Sequence, residues 1–255
     1  MPSIDDNRGA WTDFPWREHG DEWSVCWGSS RMLWQGTLLP RIATDLPTEH
    51  VLEIAPGHGR ITQFLLPLCT RYTGVDLVDD CVAHCRTRFA DAAHATFVRN
   101  DGRSLEAVAD ASVDFAISWD SLVHADITVL EAYVAELART LRPGARAFLH
   151  HSNLGAWREP DGTVPIPNPH WRDPSVDAAL VRAAIRKNGL ICVAQELVQW
   201  STPDAQDAFT MLRRLAPGED PANARPPVVT VHPSFVAEME HFRRIGESYG
   251  PSSRE

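Results

Sequence analysis

The chain has 255 residues, of which 44% are hydrophobic and 23% charged; this suits one large α/β domain with a full core and excludes extensive disorder. Its 24 Lys plus Arg against 34 Asp plus Glu leave a formal charge of −10, which argues against a broad nucleic-acid or anionic-membrane footprint and for small neutral or cationic substrates. The five cysteines include no C-x-x-C pair and read as reduced thiols of a cytoplasmic protein, and the polar, acidic start and lack of a long apolar run predict neither a signal peptide nor a membrane span.

Residues 1–20 are polar and irregular, with Trp11, Phe14 and Trp16 interleaved, and read as a flexible lead that folds over something. Trp23, Trp27 and Trp34 follow, with Met32, Leu33, Leu38, Leu39 and Ile42 in a helical stripe that stops before Pro47; the tryptophans suit either core or a ligand wall. The stretch Val51 to Arg60 then gives a short apolar run ending in Glu53-Ile54, a turn with Gly57 and Gly59, and Ile61 to Leu66 at helical spacing: strand, tight loop, helix.

From there strands and helices alternate, the signature of a parallel sheet covered on both faces. Strands are predicted at Tyr72–Asp76, Thr96–Arg99, Val113–Ser118 and Ala145–His150, with helices at about Asp79–Phe89 and Ile127–Leu141, the latter ended by Pro143-Gly144. Residues 153–175 carry five prolines and no element, so they read as a functional loop. Helix Ser175–Asn188, strand Leu190–Trp200, a helix at about Pro203–Leu215, a strand around Val228–Val231 and a helix from Pro233 to about Ser248 complete the expectation.

Ligands of open α/β sheets bind beyond the carboxyl ends of the strands. In order, those ends carry Glu53 with the Ala55–Gly59 loop, Asp76, Asp101-Gly102, Trp119-Asp120 with His124 just beyond, and His150-His151-Ser152-Asn153. Five polar strand ends in succession favour a ligand cleft over ordinary turn acids and helix caps. Asp76 stands where an acid can accept from both hydroxyls of a ribose, and Asp101 where it can accept from an adenine amine.

Glu53 to Gly59, Asp76, Asn100-Asp101-Gly102, Ser118 to His124 and Leu141 to Gly144 together resemble the ordered motifs of class I S-adenosylmethionine-dependent methyltransferases, over roughly residues 30–152. The resemblance implies a Rossmann-like seven-stranded sheet, mostly parallel with the last strand antiparallel, helices on both faces, and S-adenosylmethionine as cofactor. It implies Glu53, Ala55, Gly57 and Gly59 beside the cofactor's amino acid end, Asp76 on the ribose, Asp101 and Gly102 near the adenine, and Trp119 in the same site. Ala55 replaces the family's first loop glycine, which an alanine tolerates if its φ stays negative. The organisation expected is one domain over residues 1–255: an N-terminal cap (1–46), a cofactor core (47–152), and a lid loop with C-terminal strands and helices (153–255).

Methyl transfer to a hydroxyl requires removal of a proton, and histidine titrates near neutrality. His124 or His151 is the candidate base and Asp120 or Asn153 its orienter; strand alternation lets only one of His150 and His151 face the cleft. Trp23, Trp27, His150, Asn153 and Trp171 are candidates for the acceptor pocket, and no ligand spacing calls for a metal. The acceptor expected is a sugar, glycosylated or aromatic small molecule in a reaction resembling those of bacterial saccharide and natural-product pathways, with the protein a monomer or homodimer. N-methylation, a nicotinamide-dependent oxidoreductase and a non-enzymatic binding protein are the alternatives. The oxidoreductase lacks support from any Tyr-x-x-x-Lys pair, since Lys187 is the chain's sole lysine.

Overall fold

A computed structural model describes residues 3–200, 202–232 and 235–249. Eight strands form one sheet in the order β3-β2-β1-β4-β5-β7-β6-β8. They are β1 (Thr48–Ile54), β2 (Cys69–Asp76), β3 (Ala95–Arg99), β4 (Val113–Ser118), β5 (Leu141–Ser152), β6 (Leu190–Val198), β7 (Asp207–Arg214) and β8 (Val228–His232). All pairings are parallel except those of β7, which runs antiparallel between β5 and β6.

Side-chain alternation along the strands divides the core into two layers. Leu52, Ile54, Ala116, Ala147 and Leu149 face one cluster, and Val51, Phe115, Ile117 and Phe148 the other. The first layer is closed by α6 (Ile127–Thr140) and α7 (Ala178–Lys187). Helix α6 starts where the Asp126 carboxylate accepts the Val129 N–H, and it buries Val129, Leu130, Tyr133, Val134 and Leu137, a stripe at helical spacing. The second layer is closed by α2 (Ser30–Leu33), α3 (Leu39–Ile42), α4 (Thr62–Leu65), α5 (Asp79–Arg88) and α8 (Phe235–Tyr249).

Five expectations are corrected. The sheet has eight strands, and the antiparallel one is β7, with the parallel β8 beyond it. The helix expected at Pro203–Leu215 is β7, whose residues Asp207 to Leu212 are all buried; a strand covered on both faces shows a continuous apolar run that periodicity cannot tell from a helix. The polar lead contains α1 (Ile4–Thr12), started by a reciprocal Ser3–Asp6 capping box. The helix after the glycine turn shrinks to the four residues of α4 before a 3-10 turn that contains Pro67, and the stripe from residue 30 to 42 is broken by a π turn at Trp34–Leu38. Pro233, the expected start of the last helix, lies outside the described residues.

Candidate functional site

Strand order reverses between β1 and β4, and beyond the carboxyl ends of these strands lies a cavity of about 640 Å³. One half is made by β1, β2 and their loops. Glu53, Ala55, Gly57, Asp76 and Gly102 line it, while α1 covers it with Ile4 and Asn7. Asp76 is buried, with Oδ2 accepting the Gly57 N–H at 3.0 Å and Oδ1 the Val78 N–H at 2.9 Å, so the β2 acid holds the β1 turn. Burial pushes its carboxyl up to about 6 against these hydrogen bonds. Glu53 is likewise pushed up to about 7 by burial, with the Tyr72 and Thr62 hydroxyls both donating to its Oε2.

The turn itself is left-handed at Ala55 (φ 58°), Gly57 (57°) and Gly59 (85°). The condition for an unstrained alanine, a negative φ, is therefore not met at Ala55, and the residue bears the strain that a glycine would avoid. A Cβ at Gly59 would lie 2.4 Å from the Phe89 ring, so that position admits glycine alone without repacking. Asp101 also departs from expectation: it is exposed and outside the cavity lining, because its Oδ1 accepts the Arg103 and Ser104 N–H groups and closes a turn. Gly102 lines the cavity in its place.

The other half collects residues from distant segments. His124 lies in a 3-10 turn between β4 and α6, nearly buried, with the Trp11 ring 5.4 Å away. Its Nδ1 is 3.1 Å from the Trp171 carbonyl, which can only accept; Nδ1 carries the proton and Nε2 keeps its lone pair. Burial, with Arg172 nearby, lowers its pKa from the ordinary 6.5. Asp120, at φ 57°, pairs with Arg60 at 2.9 Å and stands 3.9 Å from Arg172. Burial would raise its carboxyl, but the two guanidinium groups overcome that and hold it below the usual range. Trp119 lines the cavity too, and its indole N–H is buried without a partner among the described residues. Trp11, Trp16, Trp23, Trp171 and Trp200 complete an aromatic wall.

Other candidates are used up inside the protein. His151 is fully buried outside the cavity, with Nδ1 donating to the Ser152 carbonyl at 2.8 Å and Nε2 accepting from the Thr210 hydroxyl at 2.8 Å. Burial lowers it to about 4. His150 is equally buried: its Nδ1 accepts the Asp120 N–H, so Nε2 carries the proton and donates to Asp207 at 3.1 Å. Asn153 joins β5 to α7 and the β6–β7 loop through Ala178 N–H and the Ala205 carbonyl. Trp27 is core, hydrogen-bonded to Thr37 and packed on Trp119, Trp200 and Phe235. Neither His150 nor His151 faces the cleft, because β7 lies alongside β5 and engages both rings.

Sequence reasoning missed Arg60, Arg172 and Asp207. Arg60 sits directly after the glycine turn and could have been suspected; nothing in sequence links Arg172 to Asp207. Trp16, noted only as part of the lead, stacks on His58 at 4.4 Å, and His58 on His84 at 3.8 Å. Among the described residues no group of three or more acidic, histidine or cysteine side chains could hold a metal ion, and no helix is long and apolar enough to cross a membrane.

Residues 51–144 match the model of a methyltransferase domain family. Nodulation protein S of Rhizobium tropici is 28% identical over 139 residues, which cover 54% of this chain and 55% of that protein, so the chain spans about half the length of the curated relative it matches. Among solved structures, the N-methyltransferase NodS of Bradyrhizobium japonicum WM9 has TM-score 0.55 at 17% identity, over 71% of this chain and 94% of that one. The geranyl diphosphate C-methyltransferase of Streptomyces coelicolor A3(2), solved with S-adenosyl-L-homocysteine, has TM-score 0.62 at 13% identity, over 84% and 99%.

Residues 51–144 thus match a methyltransferase domain, and they lie on a Rossmann-like sheet of the kind on which S-adenosylmethionine-dependent methyltransferases are built. S-adenosylmethionine is the cofactor that this match supports. The cavity's chemistry fits that group: two buried acids raised by desolvation, a turn left-handed at Ala55, Gly57 and Gly59, and an orphaned indole N–H.

Proposed function

We propose that the chain methylates a hydroxyl of a small acceptor, most specifically a sugar or glycosylated compound, with His124 as general base. The observation that carries this reading is the His124 ring, whose Nδ1 is committed to the Trp171 carbonyl and whose Nε2 lone pair is left at the cavity wall. When bound, S-adenosylmethionine supplies a methyl group on a positively charged sulfur that leaves as a thioether. Glu53 would receive its amino group and become ionised by that contact, the Ala55–Gly59 turn would lie along its amino acid end, and Asp76 would take the ribose hydroxyls.

On the acceptor side, His124 Nε2 takes the hydroxyl proton as the oxygen–methyl bond forms, while Asp120, held by Arg60, orients the rim. Trp11, Trp23 and Trp171 offer flat apolar faces to a ring, and α1 with the 153–177 segment excludes water. N-methylation is the second reading, favoured by the likeness to the N-methyltransferase NodS; the same base would take the ammonium proton first. The protein would act on its acceptor as a monomer or homodimer in the cytoplasm.

Calorimetry tests the cofactor assignment. S-adenosylhomocysteine should bind and NAD should not, and Asp76→Asn should weaken the former about 10- to 100-fold, the value of one or two hydrogen bonds to a charged group. Binding of NAD alone would reject it. A screen of sugar, glycoside and amine acceptors with radiolabelled methyl donor then separates O- from N-transfer.

A further inference from the structure

The segment between β5 and α7 returns to the cavity at Trp171 and Arg172. Trp171 is 72% exposed and has φ 52°, in the left-handed region that strains any residue bearing a Cβ, so its position must be held by its neighbours. Two clamps follow it directly. The Arg172 guanidinium reaches Asp207 of β7 with Nε at 2.9 Å and Nη2 at 2.7 Å, both side chains being buried. Asn168 grips the Arg172 backbone, its Oδ1 accepting the N–H at 2.7 Å and its Nδ2 donating to the carbonyl at 2.9 Å. Asp207 is fixed in turn by the His150 Nε2–H, and its burial is outweighed by Arg172, which keeps the carboxyl well below its usual range. The carbonyl of Trp171, next to these clamps, is the one that His124 Nδ1 reaches.

We propose that Arg172, paired with Asp207, is a positioning residue for His124: the ion pair fixes the Trp171 carbonyl, and that carbonyl fixes the imidazole in the Nδ1–H tautomer that leaves Nε2 able to take a proton. This rests on His124 being the base. A free imidazole has two neutral tautomers, and only an acceptor at Nδ1 selects the useful one. The groups facing His124 are one cation and two carboxylates: Arg172 from the segment, Asp120 from just beyond β4 and Asp207 from β7, with Trp11 of α1 across the ring and Asn7 donating to the His124 carbonyl at 3.1 Å. Asp207 lies outside the cavity lining, and the Arg172 guanidinium is committed to it. Covering the cavity and preparing the base become one event, because lifting the segment removes the acceptor from Nδ1.

Nitrogen NMR of the histidine rings in the full chain, saturated with S-adenosylhomocysteine, reads the tautomer directly, with His124 assigned by the signal lost in His124→Gln. The native ring should be in the Nδ1–H form. Arg172→Gln should populate the Nε2–H form and lower kcat about tenfold with KM changed less than about twofold, and Arg172→Lys should fall between. Since Arg172→Gln leaves Asp207 buried and unpaired, Asn168→Ala is the second variant, loosening the same backbone with the ion pair intact, and the tautomer should shift there as well. A folded Arg172→Gln or Asn168→Ala chain in which His124 keeps the Nδ1–H form overturns the proposal. Full turnover in His124→Ala would sink the base reading instead, while the tautomer still decides the positioning.

Discussion

Where β1 and β2 line the cavity, Glu53 and Asp76 are buried acids pushed up by desolvation; in the half that holds His124, the partly enclosed Asp120 and the fully buried Asp207 are held down. All four are carboxylates largely shielded from solvent, and the difference is the neighbours. Arg60 and Arg172 pair with the second set, whereas the first meets mainly hydroxyls and backbone N–H groups. An acid that lacks a cation is ready to gain one from a ligand, and an acid already paired is a fixed part of the scaffold. The histidines divide in the same way. His124 has one ring nitrogen committed and His151 has both.

The sharpest way to break this contrast is His124→Ala, which should lower kcat about 10²- to 10⁴-fold, the usual worth of a general base, with S-adenosylhomocysteine affinity nearly unchanged. The acid limb of the native pH–rate profile should lie below the ordinary histidine value of 6.5, since burial disfavours the imidazolium. Activity surviving intact in the variant would move the base elsewhere.

Next in size is the pH dependence of the ligand-free chain. Glu53 titrates at about 7 when folded against 4.5 as a free side chain, so between these values the folded chain retains a proton that the unfolded chain has released. Its contribution to stability is therefore complete below 4.5 and is lost as pH rises through about 7, a change of roughly 2–4 kcal/mol. Asp76, raised to about 6, acts in the same direction. Urea unfolding across this range should show the decline, and Glu53→Gln should flatten it; an unchanged slope would mean the acid is already ionised.

His151→Ala should cost about 1–3 kcal/mol of stability by leaving the Thr210 hydroxyl and Ser152 carbonyl without their partner, while kcat in the surviving folded protein stays close to native. A large loss of kcat at native stability would return His151 to the list of bases. The smallest effect belongs to Ala55→Gly. Relief of the left-handed strain should exceed the added freedom of the unfolded chain and stabilise the protein by about 0.5–1 kcal/mol, seen as a small rise in Tm.

Much of the cofactor half was legible in the chain. Strand β4 was read with its true limits, β1 to β3 within a few residues, and the acids at their ends fell where parallel strands deliver them. Such strands follow one another in sequence and pair with their neighbours, so local pattern carries the arrangement. Asp101 shows the limit: its place just after β3 could be read, but a turn took its carboxylate. The acceptor half was harder to read because β7 inserts between β5 and β6. That one pairing converted the expected helix into a strand, buried His150 and His151, and brought Asp207 to Arg172.

The sequence by itself determined the class of fold and the order of polar strand ends, because both follow from short stretches whose periodicity and turn residues act locally. Which histidine keeps a usable nitrogen, and which acid is already paired, was decided only by the tertiary structure. Those properties depend on hydrogen bonds and charges supplied from segments far apart in the chain, as Trp171 lies 47 residues from His124 and Asp207 lies 35 from Arg172.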